Sequence, residues 1–161
     1  MSTALRVLLL LAYIPVVWIA QNNPKQVPAD QQQAIERAIV DAHAKMQQAA
    51  RQGDIDALYE YVLEMDKGVI IEDGRLRQTR QEALEATRQG MQGLKDLSYS
   101  YTQKYITVIS PTVVLWVGEG TSSATLKDGR QVSVPFAETI VFMLKDGKWK
   151  VLHAHRSIPN R

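Results

Sequence analysis

The sequence predicts an α+β domain, with helices gathered on one face of an antiparallel sheet. Two observations carry that reading. Apolar residues recur at helical spacing as far as about Met91, and from Leu97 onward the period drops to two. The later segments are long, and two of the links between them are the tight turns Asp128-Gly129 and Asp146-Gly147, as expected of antiparallel neighbours. Helices that precede such a meander pack against it as a layer.

The elements follow in order. Met1 to Arg6 carries one positive charge, and Val7 to Ala20 is uncharged and broken only by Pro15. That run is too short for a membrane span, which needs about 20 apolar residues, and has the length of a signal-peptide core. Residues 1–20 are therefore expected to be an export signal, cleaved near Ala20 or kept as an N-terminal anchor. Residues 21–29, with two prolines among polar side chains, read as a linker. The folded domain is expected over residues 30–159. Asp30 with Gln33 forms a capping box, opening a helix whose stripe is Ile35, Ala38, Ile39, Ala42, Met46 and Ala49. It ends before Gly53. Asp54 caps a shorter helix with Leu58, Tyr61 and Val62 inward. Val69 to Ile71 is a short strand before the turn Asp73-Gly74, and Thr79 with Glu82 opens a third helix. Four strands follow. Tyr99, Tyr101, Tyr105 and Ile109 share a parity on the first, and Trp116 lies on the second. Gln131 to Leu144 is the third, and Lys148 to Ser157 the last.

Composition narrows function. The chain has 161 residues, long enough for one domain with a real core, and a net charge of +2, too small to draw it to nucleic acid. It has no cysteine, which removes disulfides, thiolate metal sites and a cysteine nucleophile. Three histidines do not suggest a zinc centre, since His153 and His155 supply two ligands where a catalytic zinc has three. No phosphate-binding glycine loop, Gly-x-Ser-x-Gly elbow or His-Glu-x-x-His motif is present, and neither a cofactor nor a metal is expected.

Gly53-Asp54-Ile55-Asp56-Ala57-Leu58 resembles the turn between the first two helices of the nuclear transport factor 2-like, or SnoaL-like, cone fold. Glu138-Thr139 and the stretch from Asp146 through Trp149, His153, His155, Arg156 and Ser157 are similar to the end of the calcium/calmodulin-dependent kinase association domain. The resemblance covers residues 30–159. It implies a conical cavity between the long helix and the concave sheet, and self-association through sheet surfaces as a dimer or a larger ring. It also implies that Arg156 lines a pocket accepting carboxylates. A further arginine expected two residues after the glutamate is Ile140 here, a departure from that pocket. The third strand is apolar on both faces, with Val132, Val134, Phe136, Ile140 and Phe142 on one and Ala137, Val141 and Met143 on the other, so both faces call for cover.

Candidate site residues come from polar groups on apolar faces. Glu138 lies in line with Phe136, Ile140 and Phe142. Such a carboxylate either lines a cavity, where burial would raise its pKa toward general acid–base use, or forms an ion pair, for which Arg156 is the natural partner. By strand parity His153 and His155 share a face with Trp149 and Val151 and lie opposite Arg156. They are either a packed pair, inside the sheet or at a subunit interface, or a general base or polar ligand contact, with His155 the catalytic candidate of the two. His43 borders the helix stripe. Tyr99, Tyr101, Tyr105 and Trp116 are either core or cavity wall, with Tyr101 and Trp116 the expected ligand contacts beside Arg156 and Glu138. Asp66, Glu72 and Asp73 border a loop at the cavity rim. Two functions remain. One is an exported, self-associating, non-catalytic domain that binds a small organic molecule, including an acid held by Arg156. The other is a cofactor-independent isomerase, cyclase or hydratase using Glu138 or a histidine. Contact with a membrane is expected only if the N-terminal segment is retained.

Overall fold

A computed structural model describes residues 27–159 except Asp66, Gly68 and Asp73. The export signal, most of the linker and two of the three acidic rim residues thus lie outside the described residues. Helix α1 (Ala29–Gln52) is followed by α2 (Ile55–Tyr59), the strands β1 (Ile70–Glu72) and β2 (Arg75–Arg77), and helix α3 (Arg80–Met91). Four long strands complete the chain: β3 (Leu94–Ser110), β4 (Val113–Leu126), β5 (Gln131–Lys145) and β6 (Lys148–Ser157). They form one six-stranded sheet of order β2-β1-β6-β5-β4-β3. All neighbours are antiparallel except β1 and β6, which run parallel. The α+β prediction holds, with that one parallel join added.

Local chemistry sets the helix ends. Gly53 stops α1 in the left-handed conformation at φ 69°, and its N–H donates to the carbonyls of Ala49 and Ala50. The Asp54 carboxylate then accepts from the Ala57 N–H at 3.0 Å and starts α2 one residue later. Thr79 caps α3 by accepting from the Glu82 N–H at 3.1 Å, while the Glu82 carboxylate accepts from Gln78 rather than closing the reciprocal half of the box. The box expected at Asp30 does not form. Helix α1 begins at Ala29 behind Pro28 with no side-chain cap, and Asp30 sits in the first turn, where its charge complements the helix dipole.

The core is the layer between helices and sheet. Ile35 and Ile39 of α1, Ile55 and Tyr59 of α2, and Ala83 and Leu84 of α3 meet Val114 and Trp116 of β4, Ile140 and Phe142 of β5, and Val151 of β6. In α2 the deeply buried aromatic is Tyr59, at 3% exposure, rather than Tyr61; its hydroxyl meets Thr87 of α3 at 2.7 Å.

Two β-bulges reassign faces. In β3, Tyr101 pairs with Gly120 and Gln103 with Glu119, leaving Thr102 as an extra residue. Tyr99 and Tyr101 therefore face the helices, whereas Tyr105 and Ile109 turn outward and Ile106 and Val108 turn in. In β6, Val151 pairs with Phe142 and His153 with Val141, so Leu152 is extra. Trp149 and Val151 consequently pack into the core, while His153 and His155 lie on the outer face opposite Val141 and Thr139. The histidines do not share a face with Trp149 and Val151 as unbroken alternation predicts.

Candidate functional site

The concave side of the sheet and the three helices enclose a cavity of about 760 Å³, within the range of small-molecule sites. Its wall is mostly apolar, including Met46, Ala50, Leu58, Met91, Leu97 and Ile140. One polar cluster interrupts it. Glu138 of β5 sits opposite Arg156 of β6 in register, and both point inward between Phe136 and Ile140. The Arg156 guanidinium donates to Glu138 Oε2 from Nη2 at 2.9 Å and from Nε at 3.3 Å. Its Nη1 donates to the Tyr99 hydroxyl at 3.0 Å and lies 3.7 Å from Glu72 Oε1. The same guanidinium lies 4.7 Å from the centre of the Tyr99 ring and 5.4 Å from that of Phe136.

The other Glu138 oxygen accepts from the Tyr101 hydroxyl, and His43 Nε2 approaches both, at 3.2 Å from Tyr101 Oη and 3.5 Å from Glu138 Oε1. This chain of contacts is satisfied when Nε2 carries the proton, the hydroxyl accepts from it, and the hydroxyl's own proton goes to the carboxylate. The imidazole stacks on Trp116 with ring centres 4.0 Å apart, and Trp116 meets Tyr101 edge to face.

Tyr101 reaches this position because β4 has a notch there. A Cβ on Gly118 would lie 2.8 Å from the Tyr101 ring. Two positions on, a Cβ on Gly120 would lie 2.1 Å from the Ser100 carbonyl oxygen, so β3 and β4 can approach closely only with glycine there.

The cluster's electrostatics follow from its donors. Burial is the largest single influence on Glu138 and pushes its pKa up. The hydrogen bonds from His43, Tyr101 and Arg156, with the arginine's charge, more than offset it, and the carboxyl is held at about 2 against an ordinary 4.5. The rise expected from burial alone is therefore reversed. Burial and the adjacent Glu138 charge push the Tyr101 hydroxyl up. Burial works against the Arg156 charge, but Tyr99, Glu138 and Glu72 outweigh it and raise its pKa further. At neutral pH the cluster thus holds an ionised carboxylate, an arginine cation and a neutral phenol.

Of the candidates, Glu138, Arg156, Tyr99, Tyr101 and His43 come together in one cluster, with Glu72 at its edge. Trp116, at 1% exposure, lies behind His43 and contributes support rather than wall. His155 is exposed on the outer face of β6, and Tyr105 is 64% exposed on the outer face of β3. Sequence reasoning missed Gln47, one helical turn after His43 on the cavity side of α1. Its amide Nε2 is buried and lacks a hydrogen-bond partner among the described residues, as does the Trp116 indole N–H. The i, i+4 spacing from His43 was the available signal. Among the described residues no group of three histidine or acidic side chains could hold a metal ion.

Comparison with known proteins places this architecture. The family model for the SnoaL-like domain matches residues 39–161. No curated protein matches the sequence. Among solved structures, a candidate dehydratase of the nuclear transport factor 2-like family from Streptomyces avermitilis superposes with a TM-score of 0.71 at 17% identity, over 80% of this chain and 99% of that one. A candidate calcium/calmodulin-dependent protein kinase II association domain from Xanthomonas campestris gives 0.64 at 16% identity, over 86% and 92%. A hexachlorocyclohexane dehydrochlorinase gives 0.69 at 15%, over 83% and 90%. At these identities the likeness is one of fold, and that fold carries both enzymes and association modules. The match over most of the chain, on helices layered against a six-stranded sheet, makes this protein a member of the SnoaL-like domain family.

Proposed function

We propose that this domain is a non-catalytic binding protein that holds a small, largely apolar organic molecule in its cavity. The observation that carries this reading is the self-sufficiency of the polar cluster. Glu138 is saturated by Arg156, Tyr101 and His43, and its low pKa makes it a poor proton acceptor at neutral pH. Arg156 is compensated by Glu138 and Glu72, so its charge is not free for an acidic ligand. Among the described residues two buried donors have no hydrogen-bond partner, the Trp116 indole and the Gln47 amide; of these the Gln47 amide lines the cavity, where it suits a carbonyl or hydroxyl oxygen on a ligand that is otherwise apolar.

Export and self-association belong to the same proposal. Export rests on the uncharged run Val7 to Ala20. Self-association rests on the outer face of the sheet, where Leu115, Val117, Val141, Met143 and Tyr105 form an apolar surface that a second copy would cover. Native mass spectrometry of protein purified from its host tests both the oligomer and the cargo. The binding reading expects a co-purified small molecule, or saturable thermal stabilisation by apolar carbonyl compounds that Gln47→Ala weakens. Protein that is ligand-free and unresponsive to a broad set of such compounds would overturn it.

A second reading has one observation in its favour. A histidine beside an ionised carboxylate is the arrangement a general base needs, and His43 and Glu138 have it inside a cavity. Turnover of a cavity ligand that falls at least a hundredfold in His43→Gln, with binding retained, would establish an isomerase, cyclase or hydratase in place of a carrier.

A further inference from the structure

Charge along the cavity wall is unevenly distributed. Among the described residues three arginines and two glutamates line it: Arg75, Arg77 and Arg156 against Glu72 and Glu138. Arg156 uses both glutamates, at 2.9 Å and 3.7 Å. Among the described residues the excess positive charge therefore sits on β2. Arg75 and Arg77 alternate along that strand with Leu76, which is 51% exposed, so both arginines take the cavity face and Leu76 the other. No carboxylate among the described residues lies within salt-bridge reach of Arg75. Among the carboxylates of the described residues Arg77 meets Glu82 of α3 alone, at 3.9 Å, with both side chains partly solvated, and such a pair exchanges at little cost. Deeper in the cavity the wall turns apolar and the remaining charges cancel.

We infer that the cavity takes an amphipathic monoanion, its apolar body inside and its acidic head on Arg75 and Arg77 at the β2 rim. This rests on the proposed small-molecule binding and replaces Arg156 with the β2 pair as the anion contact. Two guanidinium groups two residues apart on one strand face can present donor forks to a single carboxylate. The compensated interior accepts the uncharged part of such a ligand and gives a buried charge no free partner.

Isothermal titration with decanoate and with decanamide, which share a chain and differ in head charge, tests the inference. Decanoate is expected to bind at least tenfold more tightly than decanamide. In Arg75→Gln/Arg77→Gln the two should bind equally, with the decanamide affinity unchanged. Raising salt should weaken decanoate alone. Arg130→Gln, a change in an exposed turn, should leave the preference intact. Equal binding of acid and amide by the wild type, or a preference that survives the double substitution, overturns the rim assignment while leaving the cavity reading standing. Failure of both probes to bind overturns both.

Discussion

Replacing Glu138 with glutamine removes the negative charge at the centre of the site. Glutamine keeps the shape, but Tyr101 and Arg156 donate to different carboxylate oxygens, so its single carbonyl can accept from only one of them and its NH2 faces the other donor; the change removes the charge and one set of accepted hydrogen bonds. Glu138 is 6% exposed, so solvent screens its contacts little. A fall in pKa from 4.5 to about 2, at 1.36 kcal/mol per unit, corresponds to about 3 kcal/mol of stabilisation at neutral pH. Removing one member of a buried pair costs about 3–5 kcal/mol in general, and Glu72, still 3.7 Å from Arg156, places this case at the lower end. Urea denaturation at pH 7 should therefore show a loss of about 3 kcal/mol, or roughly 10 °C in Tm. The pH dependence carries the sharper test. Because the folded pKa is depressed, the stabilisation is complete above the unfolded value near 4.5 and disappears as pH falls toward 2. Wild type and Glu138→Gln should differ at pH 7 and converge by about pH 2. A variant within about 0.5 kcal/mol of wild type at pH 7, or a constant gap across that range, would refute the account of Glu138 as a buried, fully paired anion.

Other substitutions probe the frame around that charge. Glu138→Leu with Arg156→Met should recover most of the loss seen in Glu138→Gln, since an apolar pair of similar volume avoids desolvating two charges; urea midpoints decide it. Gly118→Ala should displace the Tyr101 ring and cost about 1–3 kcal/mol, with a changed near-ultraviolet circular dichroism signal from Tyr101 and Trp116. Asp54→Ala should cost about 1 kcal/mol through the lost cap of α2, with no effect on ligand binding. Val117→Lys, on the outer face, should leave the urea midpoint of the isolated subunit within about 0.5 kcal/mol and abolish self-association in sedimentation velocity.

Much of this fold was legible in the sequence because its signals are local. Gly53 and Asp54 mark a helix stop and start within two residues, and Asp146-Gly147 marks a hairpin; both form as read. The site was legible in part: Glu138 lies in line with Phe136 and Ile140, and strand parity together with the family resemblance pointed to Arg156 as its partner, but which face of the sheet lines the cavity was not legible. What the sequence hid were the bulges. Thr102 and Leu152 carry no glycine or proline to announce them, and each reverses the face of the residues that follow, in β3 as far as the next register shift between Val108 and Ser110. That is why Tyr105 lies outside and why Trp149 and Val151 part company with the histidines. Trp116 backs the wall instead of forming it, a distinction that an aromatic side chain on a strand does not carry in sequence. The direction of the Glu138 pKa also needed coordinates, since burial and three donors act against each other.

The parallel join between β1 and β6 has a consequence for how the domain assembles. Ile70 pairs with Ala154 and Glu72 with Arg156, residues more than half the chain apart, whereas each of the long strands also pairs with its neighbour in sequence. Closing so long a loop is entropically slow, so the meander and its hairpins can form before the β1–β2 flap docks. The flap brings Glu72, Arg75 and Arg77 to the cavity, and three residue pairs hold it to β6. Amide exchange should find it the first part of the sheet to open, fluctuating while the rest stays protected. A cavity that loses one wall without unfolding can admit and release its contents on the timescale of that fluctuation, with no dedicated lid.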